Sequence, residues 1–282
     1  MACTPGAFAP TNLFYLVSLR CNERCTKCSH WRVREHPYMI EARLVVEAVR
    51  GIPSAIQLCI VGGEPLVYRN LVLEVLTGLA DLSICTTIVT NGVLCTPEFV
   101  ERVRGLGVHL VFSIDTLDQQ RWQWVRGKDS MKQVLDNLAY VRATLRPEQV
   151  SIQSVLAQET VADVAVVAEW CREQGIYHSV QRYVQGGFDG SWTPLPDDTA
   201  VLTNAIAAPN GSCAASGRNL SIMPDGRVYT CFQQPWINGC KSPLGKLGVI
   251  PIQAMLTSQY AAEVVDGMTR CDLPCKVLKC NQ

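Results

Sequence analysis

The strongest constraint on the fold is a repeated alternation of short apolar runs with helix-patterned segments, from Leu13 to Val184. Residues 13–19, 55–61, 84–89, 108–114, 150–156 and 177–184 have the length and β-branched content of buried strands. Between them, residues 40–50, 71–80, 97–105, 130–145 and 161–172 read as helices. Ile40, Leu44 and Ala48 fall on one helical face, Pro97 opens and Gly105 closes another helix, and Ser130 stands at an N-cap position. Strands spaced by helices run parallel, with right-handed crossovers. Six such units fall short of a closed eight-stranded barrel, so the expected fold is α/β, an open partial (β/α)6 barrel. Chemistry in such folds gathers beyond the C-terminal strand ends.

The first strand run leads into Cys21-Asn22-Glu23-Arg24-Cys25-Thr26-Lys27-Cys28. The chain has 14 cysteines and no basic stretch followed by an apolar run at its start. A cytoplasmic, reducing setting is therefore expected, where clustered thiols bind metal rather than pair as disulfides. Three thiolates on a four-iron cluster leave one iron open to another ligand. Zinc held by Cys21, Cys25, Cys28 and His30 is the alternative. A second group follows at Cys213, Cys231, Cys240, Cys271, Cys275 and Cys280. Cys59, Cys85, Cys95 and Cys171 are expected as small buried apolar residues, and Cys3 in a loose terminus.

The Cys21/Cys25/Cys28 spacing resembles the signature of the radical S-adenosylmethionine (radical SAM) superfamily, and the later strand ends extend the likeness with Gly62-Gly63-Glu64-Pro65, Thr90-Asn91-Gly92 and Ser113-Ile114-Asp115. The resemblance implies a 4Fe–4S cluster on Cys21, Cys25 and Cys28, with SAM chelated through its amino and carboxylate groups. Reduction of SAM would release a 5′-deoxyadenosyl radical. The same resemblance implies that Gly62, Gly63 and Glu64 receive the SAM amino group and that Ser113 and Asp115 contact its ribose or carboxylate. Asn91 joins the cofactor-binding residues through the third strand end. From the residues alone, paired glycines permit close backbone approach, and Ser113 and Asp115 share a strand face with His109. A Gly-Gly or Thr-Asn-Gly stretch also reads as an ordinary turn. Arg126-Gly127-Lys128 resembles an Arg-Gly segment of related maturases and reads equally as a solvated basic turn. The position before the third cysteine, usually aromatic in the superfamily, is Lys27 here, a solvated loop charge or a departure for which Trp31 substitutes.

Residues 186–212, with their Gly and Pro, read as a connection. Cys213 and Cys231 flank Met223-Pro224-Asp225-Gly226, a hairpin turn that brings the two thiols together. Four thiolates complete a cluster with no open iron, with structural zinc as the alternative. The pattern resembles the auxiliary-cluster domains called SPASM or, shortened, twitch. That implies a second 4Fe–4S cluster on Cys213, Cys231, Cys271 and Cys275, with Cys280 able to replace one of them. The expected division is a partial barrel over 1–185, a connection over 186–212 and an auxiliary domain over 213–282. Cys240 is left as a cluster ligand, a spare thiol or a hydrogen-atom donor.

The formal net charge of zero argues against a phosphate-bound nucleic-acid partner, and no apolar run is long enough for a bilayer. The likeness to aminoglycoside-tailoring members, such as neomycin C epimerase and 2-deoxy-scyllo-inosamine dehydrogenase, implies a sugar- or aminoglycoside-type substrate and an electron donor such as flavodoxin or ferredoxin. Epimerisation with Cys240 returning a hydrogen atom is the first expectation. Dehydrogenation of an aminocyclitol or sugar alcohol, radical maturation of a peptide, and a non-enzymatic zinc scaffold are the alternatives. Trp192, Trp236, Arg182 and Tyr183 are candidates to line the opening.

Overall fold

The computed structural model describes residues 8–33, 39–183, 190–196, 216–231 and 242–270. Cys3, Cys213, Trp236, Cys240, Cys271, Cys275 and Cys280 lie outside the described residues. Six parallel strands follow one another in sequence order: β1 (Asn12–Leu16), β2 (Gln57–Val61), β3 (Cys85–Thr90), β4 (His109–Ser113), β5 (Val150–Leu156) and β6 (Tyr177–Arg182). Their crossovers carry α1 (Ala42–Arg50), α2 (Arg69–Gly78), α3 (Pro97–Val103), α4 (Gln119–Arg126), α5 (Met131–Thr144) and α6 (Val161–Gln174). The open parallel α/β sheet of a partial barrel is therefore present as the alternation requires.

The strand pleat separates two faces. Leu58, Ile60, Ile88, Leu110, Phe112 and Ile152 are buried in the main core, which also takes Val45, Ala48 and Val49 of α1 and Val72 and Leu76 of α2. The alternate residues, Val61, Val89, Val111, Ser113 and Gln153, are half-buried on the concave side. Ile40 and Ala48 are buried and Leu44 packs against the same core, as the helical spacing requires.

Three further strands extend the sheet beyond β1. β7 (Asn219–Ile222) pairs parallel with β1, then β8 (Arg227–Tyr229) and β9 (Gly245–Lys246) add antiparallel. The expected hairpin turn lies between β7 and β8, where Gly226 N donates to Met223 O at 2.9 Å with φ +84°. Two short helices follow, α7 (Ile252–Leu256) and α8 (Gln259–Met268). No described helix is long and apolar enough to cross a membrane.

Four expectations need correction. The strand over 13–19 stops at Leu16, because beyond Val17 the chain turns to lay Ser18 and Arg20 against Gly63 and Glu64. A helix absent from the sequence reading, α4, precedes α5 and ends on Gly127 at φ +65°. Ser130 occupies the N-cap position of α5 but makes no cap bond, since its hydroxyl goes to the buried Glu23 carboxylate. Cys95 and Cys171 are buried, whereas Cys59 is half-buried on the concave face and Cys85 is exposed as the first residue of β3.

Candidate functional site

The three cysteines sit in the loop leaving β1, beside the C-terminal ends of β2, β3 and β4. Backbone bonds fix this loop from two sides. Gly63 N donates to Ser18 O at 2.8 Å and Glu64 N to Arg20 O at 2.9 Å. On the other side, Arg24 N donates to Arg126 O and Thr26 N to Val125 O, both at 3.0 Å. Those acceptors are last-turn carbonyls of α4, which have no partner within their own helix. The paired glycines serve this packing: a Cβ on Gly62 would lie 2.3 Å from Ser18 O, and one on Gly63 2.4 Å from Arg20 O. Gly62 also takes φ +145°, open to glycine.

Cys21, Cys25 and Cys28 line one cavity of about 160 Å³ with Gly62, Gly63, Glu64, Asn91, Ser113 and Arg126. Three thiols of one loop around one cavity are a donor set that a multi-iron cluster can take. Each sulfur already accepts a weak bond: Cys21 from Glu23 N at 3.5 Å, Cys28 from His30 N at 3.4 Å, and Cys25 from Arg126 Nη1 at 3.8 Å. Donors aimed at sulfur favour thiolate. Burial opposes it, pushing the Cys21 thiol up to about 12 and raising Cys25 as well. A bound cation resolves that conflict, because coordination removes the thiol proton outright. The donor set fits an iron–sulfur cluster.

Glu64 is buried and tied to the ends of two strands. Its carboxylate accepts from Leu66 N at 3.0 Å, Thr90 Oγ1 at 2.8 Å and Asn91 N at 2.7 Å. Burial raises its acid to about 7, against the lowering effect of the donors Asn91, Leu66 and Thr90. Three of its roughly four lone-pair positions are used, leaving capacity for one more donor from the cavity. Asn91 donates through Nδ2 to Asn22 Oδ1 at 2.7 Å and lies 3.9 Å from Cys21 Sγ. Asn91 thus binds the end of β3 to the cysteine loop.

Ser113 lines the cavity, and its carbonyl accepts from Arg126. Asp115 is fully buried behind it. Lys27 Nζ lies 2.5 Å and Arg126 Nη2 3.3 Å from its carboxylate, and Val155 N donates to it at 2.8 Å. Burial raises the Asp115 acid, but Lys27 and Arg126 outweigh it and hold the carboxyl below its ordinary range. Lys27 is therefore no solvated charge, and it also stands 5.5 Å over the Trp192 ring. Arg126, 2% exposed, meets Glu23 at 3.7 Å as well. Buried Arg126 and half-buried Lys27 thus balance two buried carboxylates beside Cys25.

Sequence reasoning left Arg126 open as a basic turn and gave Glu23 no role. The available signal was the Arg-Gly pair closing a Trp- and Val-bearing segment, which is the C-terminal signature of a helix. Trp31 lines the cavity and donates to Cys25 O at 3.3 Å. Trp192 is buried rather than lining it, donates to Thr26 Oγ1 at 2.9 Å, and stacks on Trp124. Tyr183 packs in the same small cluster, while Arg182 donates to the Leu195 and Pro196 carbonyls.

Among curated proteins, a probable GTP 3′,8-cyclase of Archaeoglobus fulgidus is 31% identical over 132 residues, covering 45% of this chain and 43% of its own length. The GTP 3′,8-cyclase of Mycobacterium marinum is 29% identical over 256 residues, covering 85% of this chain and 67% of that protein. The chain thus spans less than half of the first of these relatives. Among solved structures, Streptococcus suis SuiB bound to S-adenosylmethionine aligns with TM-score 0.73 at 17% identity, over 91% of this chain and 68% of that one. BtrN in complex with AdoMet and 2-DOIA aligns with TM-score 0.59 at 17% identity, over 93% and 87%. These structural likenesses carry the fold. Residues 15–171, more than half of the chain, match the model of the radical SAM superfamily, whose name the cysteine loop and the cavity around it already suggested, and this chain belongs to that superfamily.

Proposed function

We propose that this enzyme uses SAM to take a hydrogen atom from one carbon of a sugar- or aminoglycoside-type substrate and that it inverts that carbon, with Cys240 returning its thiol hydrogen from the opposite face and the thiyl left behind taking one proton and one electron, the electron by way of the auxiliary cluster. Cys21, Cys25 and Cys28 are the residues that would hold the cluster. When bound, the cluster supplies one electron to the sulfonium, which frees a 5′-deoxyadenosyl radical. The chain's own groups orient the cofactor. Glu64 has one acceptor position left for an ammonium, Ser113 offers a hydroxyl, and Arg126 presents positive charge at the cavity wall. Gly62 and Gly63 bring backbone to the same wall.

The inversion rests on Cys240, the cysteine of the second group left over once four are given to an auxiliary cluster. β7 runs parallel to β1, so both end beside the cysteine loop, and β8 returns antiparallel. Cys231 and Ser242, the described residues that flank Cys240, therefore stand toward the opposite, N-terminal end of the barrel strands. For inversion the Cys240 thiol has to reach the same carbon as the radical, from its other face.

The same region supports a second, auxiliary 4Fe–4S cluster. Cys231 packs against Val264 and Met268 of α8, and Ser216 Oγ donates to Val265 O at 2.9 Å. The described residues next to Cys213 and Cys271 are thus brought to one helix with Cys231.

Turnover in deuterated water tests the proposal. One deuterium is expected at a single inverted carbon, and Cys240→Ala should still cleave SAM yet lose that product. A ketone product, or an epimer formed by Cys240→Ala, refutes inversion by this thiol.

A further inference from the structure

The cysteine loop has an outer face as well as the cofactor cavity. A second cavity, of about 320 Å³, opens there between Arg24, Trp31, Arg32 and Ser191 and reaches Cys25 and Cys28 from the other side. Trp31 has two guanidinium groups close to its ring, Arg24 at 5.9 Å and Arg32 at 4.6 Å from the ring centre. Arg24 and Arg32 have no carboxylate partner within 4 Å among the described residues.

Charge on this loop is sorted by depth. Glu23 is buried against Arg126, and Lys27 is paired with buried Asp115. The exposed charged side chains of residues 20–33 are Arg20, Arg24 and Arg32, all positive. The chain as a whole has a formal net charge of zero, so this is a local feature rather than a basic protein's average. Such a cluster steers an anionic partner to one place, with an effect that salt screens.

We infer that this outer face docks an acidic electron-carrying protein, with Arg24 and Arg32 as its charged anchors and Trp31 beside them. The inference rests on reading Cys21, Cys25 and Cys28 as a redox cluster site. The electron must enter by a route that leaves the cofactor cavity to SAM, and this cavity reaches two of the same three cysteines. One electron leaves a reduced flavin or iron–sulfur centre of the donor and is taken up by the cluster. No bond of this chain forms or breaks. Interfaces of this kind are small and short-lived, which suits a charged rim around one aromatic ring.

The test is stopped-flow reduction of the reconstituted full chain under anaerobic conditions, with three reductants: photoreduced deazaflavin, flavodoxin hydroquinone and reduced ferredoxin. Arg24→Glu/Arg32→Glu should slow reduction by one or both proteins about tenfold or more at low salt, with the difference shrinking as salt rises. Arg24→Gln/Arg32→Gln should fall between this variant and wild type. Reduction by deazaflavin should be unchanged in both. Which protein donor responds identifies the source of the electron. Wild-type rates with both protein donors overturn the docking proposal, as does an equal loss with deazaflavin, which would make the arginines supports of the loop. A wild-type chain with no reducible cluster overturns the site reading itself, and the docking surface with it.

Discussion

Replacing Arg126 by Gln tests whether the buried charge network organises the cysteine loop. Asp115 would keep Lys27 at 2.5 Å and the Val155 N–H at 2.8 Å. Glu23 would keep only the Ser130 hydroxyl, at 2.5 Å, and a weak approach from Cys25 at 3.9 Å. A carboxylate 1% exposed, with its cation gone, is an uncompensated buried charge. Breaking a buried pair from one side costs about 3–5 kcal/mol. In a chain of this size that lowers the unfolding midpoint by roughly 6–20 °C. Adding Glu23→Gln removes the stranded charge and should recover at least about 1 kcal/mol, a coupling expected only of residues in direct interaction. The assay is urea and thermal unfolding of the metal-free chain under reducing conditions, for the wild type, both single variants and the double variant. An Arg126→Gln variant within about 1 kcal/mol of wild type, or a double variant whose losses simply add, would refute the reasoning.

Glu64, raised by burial to about 7 from an ordinary 4.5, stabilises the fold fully below the lower value and loses that contribution as pH rises through the higher. The loss is about 3 kcal/mol, so the urea midpoint should fall between about pH 5 and 8 in the wild type and flatten in Glu64→Gln. Gly63→Ala sets a Cβ 2.4 Å from Arg20 O and 2.5 Å from Leu19 O, both backbone, so iron incorporation should drop sharply. Gly175→Ala, at φ +63° with open space around it, should cost only about 1 kcal/mol and retain full iron. With both clusters present the protein should hold about eight irons, and the Cys21→Ala/Cys25→Ala/Cys28→Ala triple variant about four, measured by iron analysis. Loss of all iron in the triple variant would sink the auxiliary cluster.

What the sequence made legible had a local cause. β2 to β5 show their core face through alternation, Leu58 and Ile60 or Leu110 and Phe112, and the hairpin at Met223–Gly226 is written in Asp-Gly chemistry. The three cysteines share one loop, so their convergence needs no tertiary knowledge. Arg126 was not legible in this way. Its fate depends on Glu23 and Asp115, which come from other parts of the chain, and a guanidinium is ordinarily read as solvated. α4 escaped for a related reason: Gln119 to Arg126 is mostly polar, and its two buried apolar residues, Trp122 and Val125, are too few to declare a period. The Gly-Gly-Glu stretch marked Glu64 as a candidate, and it lines the cavity, but its ties to Leu66, Thr90 and Asn91 appear only once β2 and β3 lie side by side.

These ties bear on how the site is assembled. Zinc-finger-like domains fold only when metal arrives, because nothing else holds their ligands together. Here the cysteine loop also has ties of its own: Ser18 and Arg20 accept from β2's exit, Arg24 and Thr26 donate to α4, and Asn91 is bonded to Asn22. Trp192 and Ser191 add bonds to Thr26. Ties of that kind let protein groups share in holding the three thiols on one cavity, at the expense of enclosing four charges that must balance. The balance gives Lys27 a structural role at a position where an aromatic residue is expected: its ammonium is needed by Asp115, and the ring that lines the cavity is Trp31. Lys27 and Arg126 are thus two halves of one solution, and Asp115, which both of them meet, belongs to the architecture of the loop before it belongs to any ligand.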